Sequence, residues 1–487
     1  MTGVEAGDRT PKPKPQRPDV DRKARLQIGH QRPEKQAPES RTANWGEVFL
    51  LFEEEAAKVE AERCIQCPAA PCQTACPVEN DIPAALWKLE QGDFAGAADI
   101  FRQTSELPEM CGRLCPQERL CEGHCVVGKK ALPVEIGKLE TFTTEWQHAH
   151  GGPPKPKPVA VSGRSVAVVG SGPAGIACAE RLARAGHRVV IYEAWSEPGG
   201  LLLYGIPTFK QNKPAVTRKF EELAALGVEL VTNTRVGEDV SMSQLEQDHD
   251  AVFLGFGAPV GAELKIGHED AAGVYQATEF LVRTNLDSGL LPEELREALP
   301  APRRVAVVGG GDTSMDCVRS AVRLGAEVVT LIYRRTEEEM QGRVEEREHA
   351  VEEGVLFEYL AAPLEVLVDD DGHTRGLRCQ RMRLGESDES GRSRPEPVPG
   401  SEFDVEADAV VVAIGYNVDP AWGEYAPDIL RDRWDRLVAD PETMKTNYRG
   451  VFAGGDNVNG ADLVVTALAG GQLAAAAIER YLEDGDW

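Results

Sequence analysis

Eight of the eleven cysteines in this chain stand in two short runs, Cys64-Ile-Gln-Cys67-Pro-Ala-Ala-Pro-Cys72-Gln-Thr-Ala-Cys76-Pro77 and Cys111-Gly-Arg-Leu-Cys115-Pro-Gln-Glu-Arg-Leu-Cys121-Glu-Gly-His-Cys125. Thiols at such short steps pair as disulfides, hold structural zinc or hold iron–sulfur clusters. Disulfides suit small secreted chains; this one has 487 residues, and its start lacks the basic-then-apolar order of a secretory signal. Zinc shares the C-x2-C spacing. The proline after Cys76 and the stepwise spacing favour iron–sulfur clusters, because in two-cluster ferredoxin runs the cysteine before a proline serves the other cluster. Zinc stays as the alternative.

A second chemistry is written in glycine. Val166-Ala-Val-Val-Gly170-Ser-Gly172-Pro173-Ala174-Gly175 reads as a buried strand entering a Gly-x-Gly-x-x-Gly turn, followed by a small-residue helix from Ile176 to Ala185. A second strand, Arg188 to Tyr192, ends at Glu193. Gly170 allows the tight turn, Gly172 lets the backbone approach a pyrophosphate, Gly175 lets helix pack on strand, and Glu193 is placed for a ribose hydroxyl. The unit recurs in Arg304-Val-Ala-Val-Val-Gly309-Gly310-Gly311-Asp312-Thr313-Ser314, with a helix from Met315 to Leu324 and a strand from Glu327 to Tyr333. This strand ends in Arg334-Arg335, and two guanidinium groups there suit a 2′-phosphate, which predicts NADP rather than NAD. Ser314 replaces the third glycine and is small enough to pack.

These groups need elements to position them. Residues 1–42, rich in Pro, Lys, Arg and Gln, are expected to form an extended or disordered arm, with Pro11 to Pro15 in polyproline II. Helical spacing from Trp45 to Arg63 (Val48, Phe49, Phe52, Ala56, Val59), and again in Ile82 to Glu90 and Phe94 to Phe101, predicts a helical domain over 43–150 wrapped around metal. Gly151 to Pro158 reads as a stiff linker. Strands ending in glycine turns, Ala251 to Gly257 and Ala409 to Gly415, flank the second nucleotide unit, so a domain over 259–415 is expected to be inserted into one formed by 160–258 and 416–487. Val451-Phe-Ala-Gly-Gly455-Asp456 then returns to the first domain. It feeds a small-residue helix, Leu463 to Ile478, suited to close contact with a flavin; Asp456 would take a ribityl hydroxyl, and the helix start at Val464, Val465 and Thr466 would stabilise negative charge. Leu384 to Pro399 and the loop Asp369 to Gly372 are expected to be exposed turns. The predicted fold is α+β and multidomain: an N-terminal α-helical double iron–sulfur domain, then two Rossmann-like α/β nucleotide-binding domains, the second inserted in the first.

Composition narrows the function. The length suits about three domains at ~150 residues each. A net charge of −27 and a pI near 4.9 argue against nucleic acid, whose phosphates need a basic surface. No run of ~18 apolar residues exists, so no membrane span is expected. Metal-bound or free thiols fit a reducing cytoplasm.

From about Trp45 onward the chain resembles the small (β) subunit of NADPH-dependent glutamate synthase. That plan is shared with the NADPH-oxidising half of dihydropyrimidine dehydrogenase and the large subunit of NADH-dependent ferredoxin:NADP oxidoreductase. The stretches that carry it are Cys111 to Gly123, Gly199-Gly-Leu-Leu-Leu-Tyr-Gly-Ile-Pro-Thr-Phe-Lys210, Gly309 to Cys317 and Phe452-Ala-Gly-Gly-Asp-Asn-Val458. The resemblance implies FAD, NADPH and two [4Fe–4S] clusters bound in crossed fashion. Cys64, Cys67, Cys72 and Cys125 would hold one cluster; Cys76, Cys115, Cys121 and Glu140 would hold the other, with Cys111 left as a packed thiol. FAD would lie along Gly170 to Gly175, Glu193, Gly200, Leu201, Gly205, Gly455, Asp456, Val465 and Thr466. NADPH would lie on Gly310, Gly311, Asp312 and Thr313 with Arg334 and Arg335, near the crossing turn at Gly415. Met340-Gln-Gly departs from the Met-Pro of related chains. The sequence contains no nucleophile–base constellation, and hydride transfer needs none. What is implied is an electron-input module: NADPH reduces flavin, and clusters carry single electrons to a large partner subunit that makes glutamate from 2-oxoglutarate and glutamine. The same module serving another acceptor, a ferredoxin or a dihydropyrimidine-reducing partner, is the alternative.

Overall fold

A computed structural model describes residues 17–155, 159–286, 288–297, 299, 301–387 and 391–487; the polyproline stretch expected at 11–15 lies outside them. The helical domain is built from Glu54–Glu62, Ile82–Glu90, Phe94–Arg102, Pro108–Leu114 and Ile136–Ala149. Asp81 and Asp93 start two of these, each carboxylate accepting an N–H of the first turn, from Ala84 and Gly96. Their apolar faces, with Leu86, Leu89, Phe94, Phe101 and Phe142, share one core with Cys64 and Cys72, so the cysteine loops are anchored to a packed interior. The helix expected from Trp45 begins only at Glu54. Before it the Val48 and Leu50 N–H groups are given to the Phe209 and Glu34 carbonyls, and Leu50 and Leu51 face outward between buried Val48 and Phe52. The apolar spacing there belongs to an extended segment pinned from two sides.

Residues 17–42, expected as an extended or disordered arm, are docked instead. Arg25 pairs with Glu90 (2.6 Å) in the helical domain, and fully buried Arg41 pairs with Glu353 (2.7 Å) at the end of helix Val344–Glu352. Burial opposes the charge on Glu353, yet Arg319 and Arg323 hold its carboxyl down at about 2. The arm lacks apolar residues for a core of its own; its basic residues find fixed carboxylates on other elements, which composition alone does not reveal.

Two five-stranded parallel sheets follow. In the first, Val451–Ala453, Ala251–Leu254, Ser165–Val169, Arg188–Tyr192 and Glu229–Val231 lie side by side. In the second the order is Val274–Gln276, Ala409–Ala413, Arg304–Gly309, Val328–Tyr333, Leu356–Tyr359. The inner strands are buried on both faces, hence their unbroken valine and alanine runs. The whole second sheet falls in sequence between Ala251–Leu254 and its neighbour Val451–Ala453, which makes it an insertion. Helices Pro173–Arg184 and Asp312–Arg323 supply the crossovers after the two glycine turns. Helix Val464–Asp484 packs on Pro173–Arg184 through small residues: a Cβ on Gly471 would stand 2.1 Å from the Ala174 carbonyl oxygen.

A third, antiparallel sheet of Ala361–Val368, Thr374–Ser387 and Ser393–Glu406 extends from the second. Residues 384–387 and 393–399, within the stretch expected as turns, thus lie in the arms of a long hairpin. Its outer half is polar on both faces, so the period-two pattern carries no hydrophobic signal. The loop at Asp369 is the exposed turn expected, closed by the Gly372 N–H on the Asp369 carbonyl (3.1 Å). Among the described residues, no helix is long and apolar enough to cross a membrane.

Candidate functional site

All eleven cysteines are free. Cys64, Cys67, Cys72 and Cys125 face one another: burial pushes the Cys64 and Cys72 thiols up, Cys72 to about 12, and their neighbours in the set push them further. Cys76, Cys115 and Cys121 line a separate cavity together with Glu140 and Cys111. Burial raises Cys76 to about 11, partly offset by the Asn80 and Val78 N–H groups that point at its sulfur. Burial also raises the Glu140 carboxyl well above the ordinary range, and the Asn80 side-chain amide donates to its Oε1 (3.2 Å). Buried thiols that resist ionisation in water become thiolates when a metal centre supplies positive charge, so both sets fit such a centre. Among the described residues no three ligating side chains converge on a single-ion point; Cys76, Cys115 and Cys121 surround a cavity instead. Cys111 lines the same cavity as Glu140, 3.8 Å from the Ser105 hydroxyl and hydrogen-bonded to Cys115. Val465, at the start of helix Val464–Asp484, lines this cavity too.

The glycine turns separate what the fold needs from what a ligand needs. A Cβ on Gly170 would stand 2.6 Å from the Gly255 carbonyl oxygen, and on Gly309 2.2 Å from that of Ala413. On Gly172 or Gly311 it would meet nothing within 4 Å, and both have ordinary negative φ. Packing therefore fixes the first glycine of each turn, while the second faces open space at a helix N-terminus, the shape a pyrophosphate requires. Gly175 is packed against the Gly170 carbonyl oxygen (2.0 Å to a built Cβ); Ser314 takes the equivalent place, buried, its hydroxyl donating to the Gly311 carbonyl (2.6 Å). Pro173 and Ala174 form the first turn of the first helix, as Asp312 and Thr313 do of the second.

Around the first turn, Glu193 accepts from the Ser171 N–H (3.1 Å), the Ser171 hydroxyl and the Trp195 N–H (2.9 Å). Gly200 lies against Gly172, its built Cβ 3.2 Å from the Gly172 Cα, and begins the short helix Leu201–Tyr204 that ends at Gly205. Gly455 packs on Ala174; next to it burial raises the Asp456 carboxyl to about 7. Thr466 caps its own helix, accepting from the Leu463 N–H (3.1 Å).

Around the second turn the two arginines part company. Arg334 is exposed at the strand end, whereas Arg335 is buried and its Nε donates to the Ser393 carbonyl (2.8 Å) in the hairpin. Gln341 and Gly342 donate N–H groups to the Gly310 carbonyl (3.1 and 3.0 Å), so the Met340-Gln-Gly segment closes onto the turn. The Thr313 hydroxyl bonds Tyr416, and Gly415 leaves open space beside them.

Two contacts escaped the sequence. Arg343 gives its N–H to Asp312 (3.0 Å) and its guanidinium to the Arg113 carbonyl (2.8 Å) and the Gln117 side chain (2.9 Å), joining the second turn to the thiol domain. Buried Lys210 pairs with Asp316 (2.7 Å) between the two nucleotide sheets. Their partners lie too far away in sequence for any spacing rule to connect them.

Residues 41–152 match the family described as dihydropyrimidine dehydrogenase domain II, 4Fe-4S cluster, and residues 164–471 match pyridine nucleotide-disulphide oxidoreductase. The glutamate synthase [NADPH] small chain of Escherichia coli is 41% identical over 93% of this chain and 97% of its own. The chain belongs to the glutamate synthase small-chain family. It is an oxidoreductase with an iron–sulfur domain ahead of its nucleotide-binding part. The putative oxidoreductase AegA of E. coli is 42% identical over 92% of this chain and 69% of its own. FprA of Mycobacterium tuberculosis in complex with NADPH shares the fold of the nucleotide-binding part (TM-score 0.57, 19% identity, 66% of this chain and 85% of that one).

Proposed function

We propose that this chain is an electron-input subunit that oxidises NADPH at the second cradle, holds FAD in the first, and passes electrons through two [4Fe–4S] clusters to a large, glutamate-forming partner. When bound, these groups supply the redox chemistry, hydride to flavin and single electrons onward. One observation supports the reading: Val465, in the first turn of helix Val464–Asp484, lines the cavity of Cys76, Cys115, Cys121 and Glu140 and shares a core with Ala174 of the first glycine turn, so cradle and thiols are neighbours. The chain's own task is placement. Gly172 and Gly311 leave room for pyrophosphates, Glu193 and Asp456 accept hydroxyls of ribose and ribityl, and Arg334 meets the 2′-phosphate. Arg335, turned into the hairpin, shapes that strand end rather than binding phosphate. Cys64, Cys67, Cys72 and Cys125 ligate one cluster; Cys76, Cys115, Cys121 and Glu140 ligate the other.

A visible spectrum of the purified protein tests the cofactors: flavin bands over a broad iron–sulfur absorbance are expected, and a colourless protein with full-strength zinc would end the reading. Stopped-flow mixing with NADPH tests the division of labour. Cys121→Ser in a protein that keeps its FAD is expected to leave flavin reduction fast and abolish partner-dependent turnover; slow flavin reduction would contradict it. Glu140→Ala is expected to lose or alter one cluster's EPR signal with FAD retained; full iron and an unaltered signal would transfer the ligand role to Cys111. The 42% identity to a longer oxidoreductase favours a second reading, the same module feeding another acceptor. Co-purification from the native host decides between them by whether the captured partner forms glutamate.

A further inference from the structure

The arm ahead of the matched families lies over the first thiol set. Arg17, Arg22 and Arg25 all reach the region that presents Cys64, Cys67 and Cys72. Arg25 donates to the Cys64 and Glu62 carbonyls (2.9 and 3.0 Å) while both its terminal nitrogens engage Glu90 (2.6 and 2.8 Å). Arg17 pairs with Asp81 (2.5 Å) and donates to the Gln73 side chain (3.1 Å). Arg22 differs. Its Nε donates to the Ile65 carbonyl (3.1 Å) and a terminal nitrogen to the Gln66 carbonyl (3.4 Å), and among the described residues it belongs to no ion pair. The adjacent Asp21 carboxylate is turned onto the Lys23 and Ala24 N–H groups (3.0 and 3.1 Å). Carboxylates thus balance Arg17 and Arg25, whereas Arg22 brings a net positive charge and is held by the very loop that connects Cys64 to Cys67. The cavity of the second set is lined by no lysine or arginine.

We propose that Arg22 sets the reduction potential of the cluster held by Cys64, Cys67, Cys72 and Cys125, keeping it higher than it would otherwise be; this rests on the cluster reading above. An added electron makes a cluster more negative, and nearby net charge is one of the protein's levers on its potential. A fixed guanidinium beside Cys67, a half-exposed thiol, stabilises the reduced state. Near the second set the Arg343 guanidinium, which reaches Gln117 of the cavity wall, is balanced by Glu345 (3.5 Å), so the arm makes the first set the end of the route where electrons collect. Arg22 is a positioning residue of charge: it is exposed, and salt screens its effect.

The test is an EPR-monitored redox titration of the full-length, iron-loaded protein. In Arg22→Gln one midpoint is expected to move to more negative potential while the other stays, with iron content unchanged and a smaller shift at high salt. Arg22→Lys, which keeps the charge but not the fork, is expected to retain the wild-type midpoint. Unchanged midpoints in a fully loaded Arg22→Gln protein overturn the proposal. So does an equal shift in Arg22→Lys, which would assign the effect to hydrogen bonds, and so does iron loss in Arg22→Gln, which would make the residue structural. A wild-type protein without cluster signals would fail at the earlier step and remove the cluster reading itself.

Discussion

The two glycine turns share a backbone plan and differ in what surrounds them. In the first, a buried carboxylate, Glu193, stands behind the turn and accepts from Ser171 and Trp195. In the second, the strand ends in exposed Arg334, and Asp312 is tied through Arg343 to the thiol domain. The first turn is backed by a buried anion, the second flanked by an exposed cation. In both, the glycine that the fold requires is not the one that a ligand requires.

That separation gives the largest predicted effects. Gly170→Ala and Gly309→Ala push a methyl group into a backbone carbonyl, and Gly170 also has φ +96; each is expected to destabilise by at least ~2–3 kcal/mol, read as a fall in thermal midpoint. Gly172→Ala and Gly311→Ala are expected to fold normally, the first with depleted FAD and the second with FAD retained and NADPH binding lost. If all four variants behave alike, the distinction is broken.

The arginine pair sharpens the contrast at smaller scale. Arg334→Ala is expected to raise the NADPH KM roughly ten- to hundredfold, the equivalent of about 1.5–3 kcal/mol for a charged hydrogen bond, while NADH kinetics stay unchanged. Arg335→Ala is expected to affect both nucleotides equally, because its contact is with the hairpin. An NADPH-selective loss at Arg335 would reverse the assignment.

The smallest effect is a pH slope in FAD-free protein. Burial raises Asp456 from its ordinary value to about 7, so the fold favours its neutral form. Its contribution to stability is complete below about pH 4, declines as pH rises towards 7, and is level above, with a slope of at most about 1.4 kcal/mol per pH unit. Asp456→Asn is expected to flatten that part of the curve, as read by denaturation at pH 5 and pH 7.5. An identical slope in both proteins would mean that the side chain is better solvated than its position implies.

Local signals made much of this legible from sequence. Both strand–turn–helix units, the returning strand at Val451 and the helix after it are written in short-range pattern, and the structure places them accordingly. The segment from Trp45 misled because Val48 and Phe52 are buried at a spacing compatible with a helix, while the backbone there bonds to distant Glu34 and Phe209. The arm misled because composition measures capacity to form a core and says nothing about docking onto one. At the candidate site, residue types and spacing pointed to the thiols and the cradles. The partition of Arg334 from Arg335, and Cys111 sharing a cavity with Glu140, depend on side-chain direction, which no spacing encodes.

The insertion of one sheet into the other also governs how the molecule is made. Strand Ala251–Leu254 gains its outer neighbour, Val451–Ala453, only after the whole second sheet and its hairpin have left the ribosome. At ~5–20 residues per second, the edge of the first sheet waits unpaired on the order of ten to forty seconds, while the second sheet, contiguous in sequence, is free to fold at once. The nascent protein therefore passes through a stage in which the sheet behind the second glycine turn is complete and the sheet behind the first is open along one side. Premature termination between Leu254 and Val451 leaves that strand edge exposed and also removes helix Val464–Asp484 from the first glycine turn.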